Sequence, residues 1–67
     1  MELSARNQLS GTVKNVKLGA IMSEVAVDVG GQEVTSVITR ASAERLNLQT
    51  GDAVTVIIKS TEVMLGK

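Results

Sequence analysis

Two short stretches carry most of the chemistry this chain could perform. "SARN" sets Ser4 and Arg6 two residues apart, and "KS" sets Lys59 beside Ser60 far along the chain. In an extended segment, alternation puts Ser4 and Arg6 on the same side. "TRAS" adds Thr39 and Ser42 at the start of an expected helix, where free amides and the helix dipole favour an anion. Guanidinium, ammonium, hydroxyl and amide groups all donate hydrogen bonds. The ligand that suits them offers acceptors only. Molybdate, tungstate and sulfate are tetrahedral dianions of that kind, whereas phosphate keeps at least one proton at neutral pH. A site without a carboxylate leaves that proton unmatched, at a cost of roughly 1–3 kcal/mol. Separating molybdate from sulfate is left to cavity size.

Other chemistries find less support. Ordinary acid–base and nucleophilic catalysis would need a base for Ser4 or Ser60, and without histidine the one candidate is Lys59. No enzyme is expected. "GGQEV" fits a hairpin rather than the strand-to-helix turn of a nucleotide loop. Single-strand binding relies on aromatic platforms and a basic groove. This chain has no aromatic residue, and its seven basic and seven acidic residues cancel. A small nucleic-acid-binding β-barrel is therefore the alternative reading, together with a swapped-hairpin (AbrB-like) regulator, which "RASAERLNLQTGDAVTVII" resembles over that one segment. The plainest competing view of Arg6 and Lys59 makes them surface charges, solvated or paired with Glu2 and Glu62.

Strands must hold these groups in place. In "EVAVDVGGQEVTSVI", Val25, Val27 and Val29 alternate with smaller or polar residues up to Gly30-Gly31, a two-residue hairpin signal. That turn sets Val27 against Val34 and, less favourably, Asp28 against Glu33, so a nearby cation or solvent is expected to relieve the pair. "NQLSGTVKNVKLG" reads as an earlier strand. Its inward parity passes from Leu9, Gly11 and Val13 to Val16 and Leu18, which predicts a bulge at Lys14-Asn15. "DAVTVIIK" is a third strand, with Val54, Val56 and Ile58 on one face. "EVMLG" is expected to add a short last strand after a break at Ser60-Thr61. Between the hairpin and the third strand, Thr39 caps a helix from Arg40 to Leu46, with Asn47 just beyond its end. The order predicts a mainly β fold: a small OB-like five-stranded barrel with one short helix.

With 67 residues and 43% hydrophobic content, the chain reads as a single domain, residues 1–67. A chain this short buries only about 60% of its unfolded surface. Without aromatic rings or cysteines, its stability is expected to come from association with copies of itself. No hydrophobic run spans a bilayer and no leader pattern stands at Met1, so a soluble, cytoplasmic protein is expected.

From Ser4 to Lys67 the chain closely resembles the molbindins, small molybdate- and tungstate-binding proteins built from one Mop domain. The resemblance rests on "SARNQLSGTV", "VKLGAIMSEVAVDVGG", "SVITRASAERLNL" and "GDAVTVIIKSTEVML". It implies an OB-like barrel that assembles as a trimer of dimers and stores or buffers molybdate or tungstate at subunit interfaces. It further implies a main anion pocket lined by Ser4, Ala5, Arg6, Lys59 and Ser60. Thr39 and Ser42 join from a neighbouring subunit by the helix-terminus argument, although a Thr39 that caps its own helix has its hydroxyl occupied. A second, more backbone-built site is implied, for which Lys17, Gly19 and Ala20 are the candidates; a plain turn glycine at Gly19 is the competing reading.

Overall fold

A computed structural model describes all 67 residues. Four strands and one helix follow in order: β1 Asn7–Leu18, β2 Met22–Val29, β3 Gln32–Thr39, α1 Arg40–Arg45 and β4 Ala53–Ile58, with a 3₁₀ turn at Ser60–Glu62. They form one antiparallel sheet in the order β3-β2-β1-β4.

The hairpin takes the register its glycines dictate. Val27 faces Val34 and Asp28 faces Glu33, around Gly30 and Gly31 at φ 57° and 85°. Lys14 relieves the like-charge pair, with its Nζ 3.3 Å from Glu33 Oε1. Both side chains are about half exposed, so this contact is worth under about 1 kcal/mol. Lys14 itself is the bulged residue, because the β1–β2 register slips between Val13 and Asn15. The slip lets Val13 and Val16 both turn inward, and it bends β1 so that the sheet curls. Gly11 permits the close crossing of β1 over β2. A Cβ there would lie 2.6 Å from Val27 Cγ1 and 2.8 Å from the Asp28 carbonyl oxygen.

Thr39 caps α1 as expected, and the helix ends one residue early, with Leu46 as its cap. Asn47 takes the left-handed conformation at φ 50°. Gln49 N–H then donates to Asp52 Oδ2 across a tight turn. Two backbone bonds stitch that turn to β1, from Val13 N–H to Asp52 O and from Gly51 N–H to Val13 O.

Val13, Val25 and Val27 are the centre of the core, with Val16, Val29, Ile38, Leu48, Val54 and Val56 packed against them. Only five of 67 residues are buried, counting Ala43 of α1 and Ser23. So thin a core leaves a single copy of the chain with little apolar burial.

The expected fifth strand is absent, and the barrel is an open four-stranded sheet. Ser60–Glu62 coils into the 3₁₀ turn instead of extending, and Val63 onward carries no sheet pairing. A strand forms only against an edge. β3 and β4 both keep an unpaired edge, and the tail reaches neither.

Candidate functional site

β1 and β4 position the main cluster. Their last paired residues are Asn7 and Ile58, and Asn7 Nδ2 donates to the Ile58 carbonyl at 3.2 Å. Continuing the antiparallel register by one residue sets Arg6 across from Lys59. Two cations distant in sequence thus leave the sheet at one corner. Before Arg6, the chain bends at Ser4, and Gln8 Nε2 donates to the Ala5 carbonyl at 2.7 Å. After Lys59, Ser60 opens the 3₁₀ turn, closed by Glu62 N–H donating to Lys59 O at 2.9 Å. The N–H groups of Ala5, Ser60 and Thr61 donate to nothing in the chain. The Thr61 amide had no signal in the sequence, because it becomes free only when the segment coils.

The two ion pairs of the chain lie elsewhere: Lys14 with Glu33, and Arg40 with Glu44. Arg6 and Lys59 are exposed and pair with neither Glu2 nor Glu62. Ser4, Ala5, Arg6, Lys59 and Ser60 therefore make one corner rich in unspent donors. No carboxylate is hydrogen-bonded to any of them.

Thr39 and Ser42 stand at the far end of β1. Thr39 pairs with Met22, next to the Gly19–Met22 turn, whereas Arg6 precedes the first residue of β1. Eleven residue steps of strand separate the two ends of β1, up to roughly 36 Å along the chain. One copy of the chain does not unite the two groups. Their hydroxyls also differ. Thr39 Oγ1 accepts from Ser42 N–H at 3.0 Å and donates to Ser42 Oγ at 2.8 Å, so its one proton is spent. Ser42 Oγ accepts from Thr39 and from Arg45 Nη2, which leaves its own proton free to donate.

The second group falls at that same end. Gly19 N–H is held by the Met22 carbonyl at 2.8 Å, and Gly19 O accepts from Arg40 Nη1. A Cβ at Gly19 would meet Met22 O at 2.6 Å, so the tight turn itself requires the glycine. Lys17 lies across from Glu24, beside a cleft that it shares with Gly19 and Ser23. Ala20 faces an adjacent cleft with Thr39 and Arg40, and its amide is unbonded. Of the three candidates, Lys17 and the Ala20 amide keep donors, and Gly19 does not.

No helix is long and apolar enough to cross a membrane. The TOBE domain model matches residues 3–65. "Molybdenum-pterin-binding protein 1" of Clostridium pasteurianum is 46% identical over 66 residues, covering 97% of each chain. Among solved structures, a molybdate-binding protein from Sporomusa ovata superposes with a TM-score of 0.95 at 39% identity, over the whole of both chains. ModG, described as a cytoplasmic molybdate-binding protein and solved with molybdate bound, matches at a TM-score of 0.84 and 35% identity. That alignment covers 97% of this chain and 53% of ModG. With a family model spanning nearly its full length and relatives this similar, the chain belongs to the TOBE domain family, in the group that includes the molybdenum-pterin-binding proteins.

Proposed function

We propose that this protein reversibly binds a tetrahedral metal oxyanion, molybdate or tungstate, where copies of the chain meet, and that it stores or buffers that anion in the cytoplasm without covalent chemistry. The observation that carries the reading is the β1–β4 register, which brings Arg6 and Lys59 to one corner with neither cation paired. Arg6 supplies a forked contact and Lys59 a second charge. The hydroxyls of Ser4 and Ser60 and the free amides of Ala5, Ser60 and Thr61 add direction. The similarity to proteins described as molybdate-binding supports the choice of anion.

Because Ser42 lies at the opposite end of β1, it reaches this corner only from a second copy. The thin core and the many exposed apolar side chains support such an assembly, with a trimer of dimers as its form. A second anion would rest on Lys17 and the Ala20 amide.

Isothermal titration with molybdate, tungstate, sulfate and phosphate tests the reading. Saturable heat with molybdate or tungstate and none with phosphate is expected. Equal weak heats from all four would refute it.

A further inference from the structure

The ladder between β1 and β4 holds the two strands together only as far as Asn7 and Ile58. Beyond that pair, no main-chain hydrogen bond joins the segment before Asn7 to the segment after Ile58. Yet this is where Arg6 comes across from Lys59, and like charges set opposite each other push strand ends apart. Two side-chain hydrogen bonds are present at this end, and both come from consecutive carboxamides. Asn7 Nδ2, on a half-buried side chain, donates to the Ile58 carbonyl at 3.2 Å, across 51 residues of sequence. Gln8 Nε2 donates to the Ala5 carbonyl at 2.7 Å.

The two carbonyls that accept have a common property. A trans peptide is planar, so fixing a carbonyl oxygen also fixes the Cα of the residue that follows. The Ala5 carbonyl leads directly into Arg6, and the Ile58 carbonyl leads directly into Lys59.

We infer that Asn7 and Gln8 are the positioning residues of the anion corner, an inference that rests on the oxyanion reading above. Asn7 ties the Ile58–Lys59 peptide to β1 and so keeps Lys59 beside Arg6 against their mutual repulsion. Gln8 holds the Ala5–Arg6 peptide, which sets the direction in which Arg6 leaves the chain. A carboxamide suits both tasks. It donates to a carbonyl without adding charge, whereas an ionised acid would have no proton to donate and would repel the ligand. A corner held in its binding geometry before the anion arrives has less disorder to lose, which appears as affinity.

Asn7→Leu and Gln8→Leu remove each donor at nearly constant bulk. In calorimetry, Asn7→Leu should weaken molybdate binding by roughly 2- to 12-fold, the worth of one hydrogen bond, and the exposed Gln8→Leu by less. A general loss of stability would cost the same factor in any background, so each variant is repeated with its own cation removed. Asn7→Leu added to Lys59→Ala, or Gln8→Leu added to Arg6→Ala, should cost under about 2-fold more. The full factor persisting in those backgrounds would overturn the inference. ¹⁵N relaxation on the anion-free protein reads the positioning without any ligand. The Lys59 amide should be ordered in the unsubstituted chain, with S² near about 0.85, and should fall towards about 0.6 in Asn7→Leu; the Arg6 amide should do the same in Gln8→Leu. Order parameters that the variants leave unchanged would overturn the inference. The two readings fail separately. Falling order parameters with no molybdate heat from the unsubstituted protein would refute the oxyanion reading alone, and heat with unchanged order parameters would refute the positioning alone.

Discussion

The two ends of β1 handle their hydrogen-bond donors in opposite ways. At the Thr39 end most donors are spent within the chain, with Lys17, the Ala20 amide and the Ser42 proton left over. Thr39 Oγ1 both accepts and donates, Gly19 N–H closes a turn, and Arg40 divides itself between Glu44 and the Gly19 carbonyl. At the Arg6 end a guanidinium, an ammonium, two hydroxyls and three amides have no partner. Internal hydrogen bonds hold the fold at the first end, and at the second most donors have no partner within the chain. Substitutions at the two ends should therefore separate, affecting mainly stability at the first, Ser42 excepted, and affinity at the second.

The largest effect expected is on affinity. Arg6→Ala should weaken molybdate binding by roughly 10- to 150-fold, the loss of a charge-assisted contact of about 1.5–3 kcal/mol. Its melting temperature without ligand should hardly move, since Arg6 contacts nothing the fold needs. Calorimetry and a thermal melt together read both halves of that statement. Gly19→Ala should do the reverse. Its Cβ would press on Met22 O, costing on the order of 1–3 kcal/mol in a denaturant midpoint, with the Arg6 corner's affinity retained.

Thr39→Ala is next, with about 1 kcal/mol of lost capping visible in the same denaturant titration. Its effect on affinity should be smaller than that of Ser42→Ala, because Ser42 alone of the two keeps a free proton. The reverse order would mean that Thr39 gives up its cap to the ligand. The smallest effect belongs to Ser23, whose Oγ is buried without a partner on β2. Ser23→Ala removes an unsatisfied group, so stability should hold or rise by up to about 1 kcal/mol. A large loss in the denaturant midpoint would reveal a hidden partner for that hydroxyl.

How much the sequence reveals depends on how local the cause is. Gly30-Gly31 sets its own hairpin, so the Val27–Val34 register and even the unfavourable Asp28–Glu33 pair are readable in advance. The bulge at Lys14 is readable too, because the apolar parity changes there. The end of the chain is different. "EVMLG" has strand character, but a strand needs an edge, and whether one is within reach depends on a turn that coils instead of extending. The site divides in the same manner. Residue chemistry and motif resemblance both select Arg6 and Lys59, and the β1–β4 register, whose last pair is Asn7 and Ile58, brings them to one corner. That Thr39 and Ser42 fall at the far end follows from strand order, which no local pattern encodes. Gly19 reads in the sequence either as a backbone donor of the second site or as a plain turn glycine, and its amide is held by the Met22 carbonyl three residues on.

A double-mutant cycle on molybdate affinity, with Arg6→Ala, Lys59→Ala and the pair together, tests the shared corner most directly. Two cations gripping one anion should couple by about 0.5–3 kcal/mol. Losses that add to within about 0.5 kcal/mol, as independent sites do, would contradict the account.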